Sequence, residues 1–181
     1  MRSFSTMEFV GVNTDVSILK QLLKVKYKQL NAILEATKAI NNNVSAESLY
    51  QIYIYTLREQ IHVKEIALFM FDQAWKRVVW ERAENHEAFI PIQSHFENYH
   101  TAKELTPEEQ DIFGGFKYVI PVYHKQQPLA LALIGEMNNN LFENKEELLE
   151  FSQIFTNIIT VAIENKRLFR RELEKKQLDK E

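Results

Sequence analysis

The strongest constraint on this chain is where it lacks glycine and proline. Its 181 residues hold four of each, and the stretches 12–90 and 136–181 hold neither. These two residues are the main interrupters of helix and strand. The gaps therefore predict long unbroken elements at both ends. The remaining punctuation (Pro91, Pro107, Gly114, Gly115, Pro121, Pro128, Gly135) predicts turns between them. A chain of this length suits one domain, which buries ~70% of its unfolded surface without staples. The absence of cysteine removes disulfides, thiolate metal sites and thioether-linked chromophores together. A formal net charge of −3 leaves no basic footprint for nucleic acid. No apolar run approaches the ~20 residues that span a bilayer. Met1 to Thr6 also lack the apolar core of a signal peptide, so a soluble, cytoplasmic protein is expected.

Residues 1–13 read as irregular. Thr14 or Asp15 is then placed to cap a long helix in which Val16, Leu19, Leu23, Lys26, Leu30, Ile33, Thr37 and Ile40 follow heptad spacing. Asn41, Asn42 and Asn43 end it, because asparagine tolerates the left-handed conformation. Ser45 caps a second helix that runs to about His62. The period then drops to two. Ile66, Leu68 and Met70 alternate with Ala67, Phe69 and Phe71, a strand apolar on both sides and so covered on both. Trp75 to Arg82 returns as its hairpin partner, with Val78 and Trp80 on one side and Val79 on the other. Within the irregular stretch 83–115, Ala88 to Ile92 reads as a short edge strand and Ser94 to His100 as one or two helical turns. Thr106-Pro107-Glu108-Glu109 reads as a helix start closed by Gly114-Gly115. Phe116 to His124 and Pro128 to Glu136 form a late strand pair around Lys125-Gln126-Gln127. Leu129, Leu131 and Leu133 lie opposite Ala130, Ala132 and Ile134. Asn138 to Asn140 read as a loop. From Asn144 a second long helix carries Leu148, Phe151, Phe155, Ile158, Ala162, Phe169 and Leu173. The order predicts an α+β fold with an antiparallel sheet, as a single domain over 14–170 and a charged helical extension over 171–181. A charged helix that stops in mid-stride predicts that the native chain continues.

The chemistry of enzymes is thinly represented. Gly114-Gly115 lacks the Lys-Ser/Thr sequel of a phosphate loop. His86, His95 and His100, with Glu97 nearby, have no helical metal-ligand spacing, and Ser94-His95 adjacency does not make a catalytic pair. Neither a metal site nor an active site is expected. The aromatic content is 12%. Phe69, Phe71, Trp80, Phe89, His95, Phe116 and Tyr118 are the candidates to line a pocket between the sheet and the 83–115 insert, since a long irregular segment over a sheet is a common lid. Open space beneath the insert would mark a sensor, and aromatic side chains filling it would mark a scaffold. The terminal helices suit association with a second copy, through Val16, Leu19, Leu23 and Leu30 on one and Phe155, Ile158, Ala162 and Phe169 on the other. On the first helix, Leu30 to Ile40 are expected on the chain's own core and Val16 to Leu23 outward.

Leu30 to Ile40 followed by Ser45-Ala46-Glu47-Ser48-Leu49 resembles the opening helices of GAF domains. Tyr118 to Val122 followed by Pro128 to Gly135 resembles that family's late hairpin, and Leu149 to Phe169 its last helix. The resemblance implies a central antiparallel sheet, helices on one face and a small-molecule pocket on the other. It further implies parallel homodimers through the terminal helices and a regulatory role ahead of an output domain such as a serine phosphatase, histidine kinase or cyclase. Asn144-Lys145 lacks the Phe and acid of cyclic-nucleotide-binding members. With no cysteine, bilin attachment, iron–sulfur ligation and methionine-sulfoxide reduction are excluded too, so the resemblance leaves the ligand open.

Overall fold

The computed structural model describes residues 4–83, 89–137 and 144–180. Among the described residues, five strands form one antiparallel sheet in the order β2-β1-β5-β4-β3. They are β1 Ile66–Asp72, β2 Ala74–Glu81, β3 Lys103–Glu104, β4 Tyr118–His124 and β5 Gln127–Ile134. Helices α1 (Phe4–Asn41), α2 (Ala46–Ile61) and α5 (Lys145–Leu178) lie on one face of it. The other face carries the insert, with α3 (Ile92–His95), a 3₁₀ turn at Phe96–Asn98 and α4 (Pro107–Ile112). The expected α+β architecture and its two covered faces are both present.

The element ends follow from local chemistry. Asn43 takes φ 53° just past α1. The Ser45 hydroxyl accepts from the Ser48 N–H at 3.1 Å and caps α2, which His62 closes at φ 53°. Thr106 and Glu109 form a full capping box on α4, with Pro107 in its first turn, and Gly114 and Gly115 reverse the chain at φ 68° and 88°. Lys125 and Gln126, at φ 52° and 63°, make the two-residue turn between the paired His124 and Gln127. Asn144 caps α5 by accepting from the Glu146 N–H at 2.8 Å.

Several expectations need correction. The segment read as irregular is helical from Phe4, since Gly11 weakens a helix interior by only ~1 kcal/mol relative to alanine and does not stop it. Of the edge strand expected over 88–92, Ala88 lies outside the described residues, Phe89 to Pro91 pair with no strand and Ile92 opens α3. The loop expected at 138–140 also lies outside the described residues. The strand at this edge is β3, with Lys103 opposite Val119 and Glu104 opposite Tyr118. Two irregularities break the simple alternation. Leu68 faces Val79 but Phe69 faces Arg77, so Val78 is extra and both valines pack on the helical side. Val122 faces Ala130 but Tyr123 faces Pro128, which turns Leu129 to the helical side with Ala130, while Leu131 and Leu133 face the insert.

Candidate functional site

The insert face is built on Ala67, Phe69, Val119, Leu131 and Leu133 of the sheet. Phe96, Tyr99, Leu105, Phe113 and Phe116 lie directly over them, and none is more than 4% exposed. The rings pack edge to face or tilted: Tyr99 on Phe113 at 5.6 Å, Phe96 on Tyr123 at 4.9 Å, Trp80 on Phe116 at 5.9 Å. The space beneath the insert is thus filled by aromatic side chains. An open cleft of about 620 Å³ remains at its rim, lined by Phe69, Trp75, Arg77 and residues 89–93.

Polar contacts hold the insert down. Arg82 Nε donates to Glu65 Oε1 at 3.0 Å and its Nη1 to the Gly114 carbonyl at 2.7 Å, while the guanidinium sits 4.7 Å above the Phe116 ring. Glu109 accepts from Lys103 Nζ at 2.8 Å, from the Thr106 N–H at 2.8 Å and from the Tyr99 hydroxyl at 3.0 Å. Burial acts to raise the Glu109 carboxyl, but these donors together hold it below its ordinary value. Burial, then the neighbouring Glu109, pushes the Tyr99 phenol up to about 12.

The expected pocket residues divide. Phe69, Trp80 and Phe116 share the insert face, and Phe71 joins its edge through Trp75 at 5.3 Å. Phe89 is 89% exposed at the rim. Tyr118 belongs to the helical-side core, because β4 begins only at Tyr118 and Phe116 precedes the pleat that would put the two on one face. His95 Nδ1 lies 2.9 Å from both the Pro91 carbonyl and Ser94 Oγ. Ser94 Oγ itself donates to Pro91 at 3.2 Å. The set closes with the proton on Nδ1, so the imidazole braces a turn and offers Ser94 no base. His100 stacks on Tyr123 at 5.9 Å, and His86 lies outside the described residues. Trp75 and Arg77 escape the sequence reading because the β2 irregularity places them off simple alternation.

The long helices form the second candidate surface. Lys26 pairs with Glu147 at 3.2 Å, and Lys166 donates to Asn43 at 2.6 Å. The two contacts rise together along both helices, so α1 and α5 run parallel. The α1 arm extends past one end of the domain and the α5 arm past the other. Val16, Leu19, Leu23, Tyr27, Leu30 and Leu34 form an apolar row 45 to 71% exposed. Ile33, Ala36 and Ile40 turn to the chain's own core. Leu30, expected both among the pairing residues and at the start of the core-facing stretch, is outward. Tyr27 and Leu34, which the heptad starting at Val16 skips, take the places of Lys26 and Ile33. On α5, Phe155 and Ala162 are buried in the core and unavailable to a partner, whereas Phe169 is 64% exposed. Where α5 leaves the sheet, Arg167 and Arg171 both pair with Asp72 at the β1–β2 turn.

No family model and no curated protein matches the sequence. Solved structures do match in fold, and those below are all GAF domains. One, described as belonging to a sensor histidine kinase of Pseudomonas syringae pv. tomato, aligns at a TM-score of 0.61 and 10% identity over 87% of this chain and 99% of that one. The GAF domain of a Coxiella burnetii phosphoenolpyruvate-protein phosphotransferase gives 0.59 and 14%, over 80% of this chain and 98% of that one. Its Acinetobacter counterpart gives 0.58 and 11%, over 77% and 95%. The chain has the GAF fold. Among the described residues, no helix is long and apolar enough to cross a membrane.

Proposed function

We propose that this chain is a regulatory, non-catalytic GAF-fold module that pairs with a second copy through its long helices and passes a conformational signal along them to an output domain. The observation that carries this reading is the exposed row on α1, six large apolar side chains at steps of three and four. Leaving such a row in water costs ~25 cal/mol per Å² of apolar surface, and a contiguous stripe of this extent marks an interaction site. The parallel course of α1 and α5 supports the relay, since a rotation imposed on one arm reaches the other through contacts at both ends of the shared span. The bacterial signalling proteins that share the fold support the regulatory class. The packed aromatics under the insert favour a scaffold over a deep-pocket sensor.

A second reading, capture of a small molecule at the surface, is favoured by the rim cleft, where Trp75 and Phe89 offer rings. Light scattering of the full chain at tens of micromolar tests the first reading. The expected result is a dimer that Leu23→Glu with Leu30→Glu converts to a monomer with an unchanged far-UV circular dichroism spectrum and cooperative unfolding. A monomeric wild type overturns it. Native mass spectrometry of the purified chain tests the second, through co-purified mass that Trp75→Ala removes.

A further inference from the structure

The sheet-facing side of α5 is occupied by Thr156, Ile159, Thr160, Ile163 and Glu164, all buried. Away from it runs another series, Ile154, Ile158, Val161, Asn165 and Leu168, at steps of four, three, four and three. Ile154 and Leu168 are 43% and 45% exposed, and Ile158 and Val161 are half-buried. Asn165 is exposed in the middle of this apolar series. Its side chain makes no hydrogen bond with any described residue. The exposed α1 row, Val16 to Leu34, and this α5 series both lie on the sides of their helices away from the buried residues. Their combined apolar area is on the order of the ~800 Å² per partner that a stable interface needs.

We propose that Asn165 sets the register of a parallel pairing between two copies of α5, its side-chain amide hydrogen-bonded to the same amide of the second copy. This rests on the dimer reading above. The occupant is a second copy because a helix face with heptad spacing complements itself about a two-fold axis parallel to the helices. An amide both donates and accepts, so two identical ones satisfy each other when the two-fold axis brings them face to face. A slipped parallel pair would bury Asn165 against Val161 or Leu168, and an antiparallel pair overlapping the whole series would bury it against Ile158, each with its hydrogen bonds unmade. An antiparallel pair centred on Asn165 would join the amides but set Ile158 and Ile154 against Glu172 and Lys176, so only the parallel, in-step pair satisfies both the amide and the apolar positions. The apolar residues thus supply association and Asn165 supplies orientation.

A chain with no cysteine allows a clean test. Leu168→Cys, one step along the same series and outside the core, is introduced alone and together with Asn165→Val in the full chain. Under mild oxidation, Leu168→Cys is expected to cross-link most of the protein as dimer. Adding Asn165→Val is expected to cut the cross-linked fraction several-fold, or to shift the mass in light scattering above dimer, because registers and orientations mix. A dimer that does not cross-link through Leu168→Cys overturns the proposal and leaves the dimer reading standing, as does a cross-linked fraction and mass unchanged by Asn165→Val. A wild type that is monomeric overturns both.

Discussion

At the scale of single residues, the shortage of glycine is met by residues that rarely take its place. Asn43, His62, Gln73, Lys125 and Gln126 all stand at positive φ. A side chain in the left-handed region costs roughly 1–2 kcal/mol relative to the right-handed one, a cost glycine avoids and asparagine reduces. The β4–β5 turn bears it twice, at Lys125 and Gln126, in the two-residue geometry for which Asn-Gly is preferred. Lys125→Asn with Gln126→Gly is expected to stabilise the chain by about 1 kcal/mol, after allowing for glycine's added freedom in the unfolded state, as a higher urea midpoint at unchanged slope. A lower midpoint would mean that these side chains make contacts worth more than the strain. Asp72 sets a second expectation. The hydrogen bond from Arg167, reinforced by Arg171, outweighs desolvation and holds the Asp72 carboxyl below its ordinary value. Its folded value is depressed, so its stabilisation is complete above the unfolded carboxylate value of ~3.9 and is lost as pH falls through the folded one. The stability difference between wild type and Asp72→Asn, from urea unfolding, should hold steady from pH 7 to 5 and shrink toward pH 2. A difference independent of pH would exclude the ion pair as its source.

At the scale of elements, much of the fold was legible in local chemistry, and the exceptions have physical reasons. Ser45, Thr106-Pro107 and Asn144 announce their helices because a cap is satisfied within three residues. The extra residues near Val78 and Leu129 are invisible to an alternation argument, since they depend on how two strands pair and not on either alone. β3 is two residues long, too short to carry any period. Helix faces were legible only in part. A heptad template drifts against a 3.6-residue helix, so the row starting at Val16 moves from Lys26 and Ile33 to Tyr27 and Leu34. Within the candidate site, Phe69, Trp80 and Phe116 were legible as aromatics on or beside strands, whereas Tyr118 needed the true start of β4. The same division splits α5. Phe155 is fully buried, stacked with Phe151 at 5.7 Å and Tyr53 at 6.2 Å, while Phe169 lies on the free arm. Phe155→Ala is expected to cost ~3–5 kcal/mol in unfolding free energy and Phe169→Ala at most ~0.5 kcal/mol measured on the dissociated chain. Equal losses would contradict the assignment of these two residues to different surfaces.

At the scale of the molecule, the sheet joins two layers of different construction. On one side α1, α2 and α5 form a helical layer whose ends project beyond the domain. On the other, the insert is sealed by its own aromatics and tied to the sheet by Arg82 and Glu109. The relay proposed above needs a rigid body to hold the helices, and the filled insert face is the layer of the fold suited to that part. Phe113 is its most informative member, fully buried, with its ring 5.6 Å from Tyr99 and 6.0 Å from His95. Phe113→Ala is expected to cost ~3–5 kcal/mol, most of it transfer energy together with the cavity left behind. If the surrounding layer is rigid, that cavity persists, stays largely apolar and admits a small apolar probe. Benzene should then raise the melting temperature of Phe113→Ala and leave that of the wild type unchanged. Loss of stability with no response to benzene would mean that the insert collapses onto the sheet, and that it is a pliable cover and not the fixed support a relay along α1 and α5 requires.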